Sequence, residues 1–129
     1  MTHPNETLIR NAFEAFMRGD VEAARSAFDS SVIWHVSGRG ALSGDFHGFD
    51  EVSRWGAQLY ERSGGTFQEV LHEVVANDSV AFQWVTYKAS RGGRTIEDES
   101  VNAFRIREGK IVECWVYFGK PYEFDNFWS

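Results

Sequence analysis

The chain has 129 residues, a net charge of −6 at pH 7 and 43% hydrophobic residues. This composition excludes disordered and fibrous proteins, and the length predicts that residues 1–129 form a single domain. The acidic charge argues against a nucleic-acid or anionic-membrane binder, because the contact surfaces of such proteins are basic.

Aromatic residues make up 16% of the chain, with five Trp and eleven Phe. One ordinary core of a small domain rarely needs so many large rings. The sequence therefore predicts a wide apolar cavity, a buried partner surface, or both.

The beginning of the chain and its single cysteine indicate a compartment. The first six residues have neither a basic nor an apolar segment, so we expect no signal peptide. No window approaches the roughly 20 apolar residues that span a bilayer. Cys114 has no second cysteine to pair with, and the cytoplasm is the expected location.

The first part of the chain predicts two helices and one strand. Apolar residues at three- and four-residue steps favour a helix that begins at Asn5 or Thr7 and ends near Arg18. Asp20 is expected to cap a short second helix. Alternation over residues 31–37 then indicates a strand.

A glycine-rich loop over residues 38–48 separates this strand from a third helix, which is expected to open at Asp50. Turn residues divide the rest of the chain into four strands and a short aromatic tail that starts at Pro121. The predicted strands cover residues 66–75, 79–90, 94–107 and 110–118.

Three helices followed by long antiparallel strands predict an α+β fold with the helices on one sheet face. The predicted strands at 79–90 and 110–118 do not alternate cleanly between apolar and polar residues. The face that carries Trp84 and Trp115 would leave a broad apolar patch in water. We therefore expect a homodimer through this outer face, with a tryptophan half-exposed at the sheet rim as the alternative.

Several segments resemble the SnoaL-like branch of the nuclear transport factor 2-like superfamily, which includes ketosteroid isomerases and polyketide cyclases. The resemblance implies a single SnoaL-like domain, in which a curved antiparallel sheet wraps around three N-terminal helices to form a cone with an apolar pocket. These segments are Phe13–Asp20, Val32–Val36, Gly44–Gly48, Gly93–Arg94 and Phe104–Glu113.

The resemblance also implies positions for catalytic groups. Ketosteroid isomerases have a base on the strand after the second helix, where this chain has His35. They have an acidic donor on the second-last strand, where this chain has Asn102. A neutral imidazole accepts a proton near pH 7, and an amide can donate to an enolate oxygen. Either residue can instead be a structural, hydrogen-bonded residue.

The apolar wall of the pocket is predicted from large side chains at expected inward positions, with a few polar groups among them. We expect no metal, because the histidines lack ligand spacing, and the expected proton-transfer chemistry needs no cofactor. The predicted ligand-contacting residues are Phe13, Phe16, Trp55, Tyr60, Gln83, Val85, Tyr87, Val116 and Phe118.

Three functions remain compatible with the sequence. The first is cofactor-independent isomerisation or cyclisation of a small hydrophobic carbonyl compound, with His35 as base and Asn102 as donor. The second is non-catalytic binding of a small hydrophobic ligand. The third is a structural dimerisation domain.

Overall fold

The computed structural model describes residues 2–129 and contains a six-stranded sheet with four helices in that range. The elements, in chain order, are α1 (Pro4–Met17), α2 (Val21–Arg25), β1 (Phe28–Val36), β2 (Gly44–His47), α3 (Gly48–Arg62), β3 (Gln68–Ala76), β4 (Val80–Arg91), β5 (Arg94–Arg107), β6 (Lys110–Phe118) and α4 (Pro121–Trp128).

The strands lie in the order β2-β1-β6-β5-β4-β3. All neighbours are antiparallel except β1 and β6, which run parallel. Register shifts interrupt three of the strand pairs, one of them between Leu71 and Glu73. Such bulges bend a strand and increase its twist, which suits a sheet that curves around helices. The predicted α+β cone is confirmed.

The first helix begins earlier than the sequence predicted. The His3 side chain caps it by accepting a hydrogen bond from the Asn5 backbone N–H at 3.0 Å. The Asn5 amide instead donates to the carbonyls of Asn77 and Asp78, at 3.0 and 3.1 Å. It thereby fixes α1 to the turn between β3 and β4. Asp20 caps α2 as predicted, accepting from the Ala23 N–H at 3.1 Å.

The aromatic tail forms a helix, α4, which closes one end of the cone. Pro121 occupies its first turn, where a missing N–H costs nothing. Trp128 is fully buried, and the Phe124 ring stacks on Phe118 with centroids 3.7 Å apart. Arg91 holds the end of the helix by donating to the carbonyl of Phe127 at 2.9 Å.

The core lies between the helices and the concave face of the sheet. The opposite, outer face carries exposed apolar side chains on several strands. Within residues 2–129, no helix is both long enough and apolar enough to cross a membrane. The exposed apolar residues of the outer face are Val70, Val75, Phe82, Trp84, Val101 and Tyr117.

Candidate functional site

A cavity of about 420 Å³ lies between α1, α3 and the concave face of the sheet. This volume is within the range of small-molecule sites. The mouth is marked by lining residues that are also exposed. They include Gly19 and Asp20, which follow α1, and Ala57 and Glu61 on α3. The cavity therefore opens between the two helices, and the sheet forms its opposite wall.

Eight of the nine residues predicted to contact a ligand line this cavity. Val85 does not, and that prediction is corrected: its side chain is completely buried, while the larger Gln83 and Tyr87 on the same face of β4 form the lining. The eight lining residues are Phe13, Phe16, Trp55, Tyr60, Gln83, Tyr87, Val116 and Phe118.

His35 lies on the outer face of the sheet, so the prediction that it faces the pocket is wrong. Successive strand residues point to opposite faces, and Trp34 takes the inward position on β1. The His35 ring is held at both nitrogens, by Asp45 at 2.8 Å and by Glu113 at 2.6 Å. It also stacks on Trp115 with centroids 5.4 Å apart.

The two carboxylates around His35 raise its pKa. Partial burial opposes a charged ring, but the hydrogen bonds to Glu113 and Asp45 outweigh it and raise the pKa of His35 above its usual value. A ring that lies on the outer face and has both nitrogens hydrogen-bonded to carboxylates is not a base for a pocket ligand. His35 links β1, β2 and β6 instead.

Asn102 does line the cavity, on β5, and is 8% exposed. Its Oδ1 atom is buried and has no hydrogen-bond partner within residues 2–129. The Nε1 of Trp34, which also lines the cavity, is likewise buried without a partner in that range. Buried polar atoms of this kind cost free energy unless a partner reaches them, so this end of the cavity is suited to hydrogen bonding with a ligand.

Glu69 is the main residue that sequence reasoning missed. It is half-buried on the inner face of β3 and lines the cavity. Burial raises the pKa of its carboxyl to about 7, with no hydrogen bond or neighbouring charge contributing. A carboxyl group with such a pKa exchanges protons readily at neutral pH.

Two tyrosines lie close to Glu69. Tyr87 is its direct partner across β3 and β4. The Tyr60 hydroxyl is 3.9 Å from the sulfur of Met17, a weak acceptor. Burial, and then the charge of Glu69, raise the pKa of Tyr60. Tyr60 therefore remains a neutral hydroxyl near the carboxyl group and is available to donate to a ligand.

The hydroxyl of Tyr87 is fixed by a buried carboxylate. It donates to Asp98 Oδ2 at 2.7 Å, and the same carboxylate accepts from the N–H groups of Glu99 at 2.7 Å and Lys120 at 3.0 Å. Burial, and then the hydrogen bond to Asp98, raise the pKa of Tyr87 far above its usual value. Gly119 permits this packing, because a Cβ there would lie 2.8 Å from Asp98 Oδ1.

The charges of the cavity have one sign. Asp20, Glu61 and Glu69 line it, and within residues 2–129 no Lys, Arg or His side chain does. No group of three or more His, Cys, Asp or Glu side chains in that range is arranged to hold a metal ion. The lining therefore favours a neutral ligand over a carboxylate or a phosphate.

Comparisons with known proteins agree with this architecture. Uncharacterized protein Rv0034 of Mycobacterium tuberculosis is 28% identical over 123 residues, covering 95% of this chain and 94% of that protein. Bal32a, from a soil-derived mobile gene cassette, is 27% identical with a TM-score of 0.93 and covers 98% of this chain and 97% of its own. TerC, co-crystallized with polyporic acid, shares the fold at 19% identity, with a TM-score of 0.83 over 98% of each chain.

The sequence profile of the SnoaL-like domain matches residues 9–114, which is most of the chain. The resemblance predicted from the sequence motifs is therefore confirmed. The protein belongs to the SnoaL-like family.

Proposed function

We propose that this protein binds a neutral, hydrophobic carbonyl compound in its cavity and catalyses proton transfer next to the carbonyl without a cofactor. A SnoaL-like fold supports a small-molecule-binding or an isomerase- or cyclase-type activity. The observation that carries the finer proposal is the Glu69 carboxyl on the wall of an apolar cavity, to which the Tyr60 hydroxyl also contributes.

Glu69 replaces His35 as the proposed base. In its ionised form the carboxylate takes the proton from the carbon next to the ligand carbonyl and becomes a carboxylic acid. The electron pair of the C–H bond forms a C=C bond while the π pair of the carbonyl moves to its oxygen, which gives an enolate. With a pKa of about 7, a large fraction of Glu69 is ionised at neutral pH, and the carboxylate is still basic enough to accept the proton.

Tyr60 is the proposed donor to the enolate oxygen. Its neutral hydroxyl experiences the charge of Glu69, and within residues 2–129 its one hydrogen-bond partner is the weak acceptor of Met17. One such donor is worth roughly 3–4 kcal/mol of transition-state stabilisation in a water-excluded site. Where the enolate is conjugated with a C=C bond, return of the proton from Glu69 to the far carbon completes an isomerisation. Attack of the enolate carbon on a second carbonyl instead forms a C–C bond and an alkoxide, which takes the proton from Glu69 and completes an aldol-type cyclisation.

The second candidate function is non-catalytic binding of a hydrophobic ligand. It is supported by the lining itself, in which aromatic and aliphatic side chains from both helices and sheet predominate. A purely structural dimerisation domain is a weaker candidate, because such a domain has no use for an open cavity of this size.

The test is deuterium exchange at the carbons next to the carbonyl in a panel of neutral hydrophobic ketones, followed by NMR in D₂O. We expect the protein to accelerate exchange for at least one ketone, with a rate that rises with pH through about 7 as Glu69 ionises. Binding of the ketones without acceleration over buffer would refute the catalytic proposal and favour the binding module.

We also propose a homodimer through the outer face of the sheet. Two adjacent rows of side chains support it: Val75 pairs with Phe82 across β3 and β4, and Val101 lies between Trp84 and Tyr117. All five are at least 40% exposed, which is unusual for a contiguous set of large apolar residues. A second copy of the same face would bury both rows symmetrically.

Light scattering tests the dimer. At micromolar concentration we expect twice the chain mass of 14.7 kDa. Val101→Arg places a charge at the centre of the face and should yield folded monomer, while Tyr122→Arg, at an exposed position on α4, should leave the dimer intact. A monomeric unsubstituted protein would refute the proposal.

A further inference from the structure

The cavity has two polar regions that are separated along β4. Glu69 pairs with Tyr87 at one end, and Asn102 pairs with Gln83 at the other. Tyr87 and Gln83 are four residues apart, which corresponds to about 13 Å along an extended strand. Between them lies the row in which Phe118 pairs with Ser100, so an aromatic ring and one small hydroxyl separate the two regions.

The two regions differ in chemistry. The first holds an ionisable carboxyl group, whereas the second holds side chains without formal charge. At the second region Asn102 Oδ1 is buried and lacks a partner within residues 2–129, and Gln83 is its cross-strand neighbour. The Trp34 ring packs on Phe104, two residues from Asn102, with centroids 6.0 Å apart, and its Nε1 is likewise buried without a partner in that range. One acceptor and one donor without partners, on the wall of one cavity, match a group that both donates and accepts, such as a hydroxyl.

We propose that Trp34, Gln83 and Asn102 form a binding subsite for a hydroxyl group at the far end of the substrate from the reacting carbonyl. This inference rests on the proposed function, because Glu69 defines the reacting end. The substrate class is then a neutral, elongated, aromatic or alicyclic ketone that carries a hydroxyl group at its opposite end. The subsite orients the molecule so that its enolisable carbon reaches Glu69.

The absence of cationic lining residues in the described chain excludes an anionic end group at this subsite. A carboxylate or phosphate would be desolvated beside Asn102 with no opposite charge to compensate it. The three acidic lining residues add repulsion. A neutral hydroxyl avoids both costs and satisfies groups that are otherwise unpaired.

Calorimetric binding of a matched pair of ketones tests the subsite. The pair is (4′-hydroxybiphenyl-4-yl)acetone and the same compound without its hydroxyl, both measured with the Glu69→Gln protein so that binding is separated from turnover. We expect the hydroxylated ketone to bind about tenfold more tightly. The preference should disappear in Asn102→Leu and shrink in Trp34→Phe, which keeps an aromatic ring but removes Nε1.

Ser100→Ala provides the matched control. Ser100 also lines the cavity on β5, two residues from Asn102, and pairs with Phe118 in the intervening row. Its removal should leave the hydroxyl preference intact. Equal binding of the two ketones, a preference that persists in Asn102→Leu, or binding of neither ketone would each overturn the subsite.

The same two ketones in deuterium exchange with the unsubstituted protein separate this proposal from the proposed function. Exchange without a hydroxyl preference refutes the subsite and leaves proton transfer by Glu69 standing. A hydroxyl preference in binding without exchange supports the subsite and refutes the catalytic proposal.

Discussion

Glu69→Gln is expected to lower the rate of ketone deuterium exchange by about 10²–10⁴-fold at pH 8, the range that a positioned base contributes. Glutamine has nearly the same shape as a protonated glutamate, so the cavity keeps its volume and its lining. It cannot accept a proton, however, and the other two lining carboxylates, Asp20 and Glu61, are exposed at the mouth of the cavity. Without the base, the Tyr60 hydroxyl has no enolate to stabilise. The rate should also lose its dependence on pH near 7, where Glu69 titrates.

Glu73→Gln is the control for this loss. Glu73 lies on the same strand but is exposed, and its carboxylate forms an ion pair with Arg10 at 3.1 Å outside the cavity. The substitution removes the same charge without touching the lining, so exchange should continue at the unsubstituted rate. Exchange that survives in Glu69→Gln, or falls equally in both variants, would show that Glu69 is not the base.

The misassignment of His35 has a physical cause. Alternation along β1 establishes that Trp34 and His35 face opposite sides, but it does not tell which side is inside. A polar outer face would have resolved the ambiguity. Here the outer face also carries large apolar residues, Phe82 and Trp84 among them, so hydrophobicity does not distinguish the two faces.

Glu69 was missed for the same reason. Its neighbour on β3, Val70, is apolar, and an apolar residue is normally assigned to the inner face. In the structure Val70 is 57% exposed and lies on the outer face, so this assignment would place Glu69 outside. Glu69 and the buried Val74 are five residues apart, so strict alternation would place them on opposite faces, but the bulge between Leu71 and Glu73 places both on the inner face. The available signal was the spacing of Phe67, Glu69 and Leu71, which share the inner face.

Local features were predictable where the backbone itself imposes them. Gly92 and Gly93 both have positive φ, at 56° and 78°, as a two-residue hairpin turn requires, and Arg91 pairs with Arg94 on either side. Such a turn sets the register of two strands without reference to the core. The ion pairs of His35 and the burial of Asp98 depend instead on side chains that are distant in sequence.

Glu69→Gln is also expected to stabilise the protein at high pH. Burial raises the pKa of this carboxyl from 4.5 to about 7 in the folded chain, so the unfolded chain ionises first as the pH rises. The free energy of unfolding therefore falls between about pH 4.5 and 7, and the loss is complete above pH 7. A shift of this size corresponds to about 3 kcal/mol at most, and about 1–3 kcal/mol is expected because the carboxyl borders the cavity and keeps some hydration.

Urea unfolding at pH 5 and at pH 8 measures this effect. At pH 5 folded Glu69 is largely protonated and resembles glutamine, so the two proteins should differ little in free energy of unfolding. At pH 8 the unsubstituted protein holds a desolvated carboxylate in its cavity, and Glu69→Gln should be the more stable of the two. Glu73→Gln should show no such difference between pH 5 and pH 8. Equal stabilisation by Glu69→Gln at both pH values would show that the effect does not come from ionisation of Glu69. A residue that destabilises the fold when charged, and that faces a cavity, is better explained by its chemistry than by its packing.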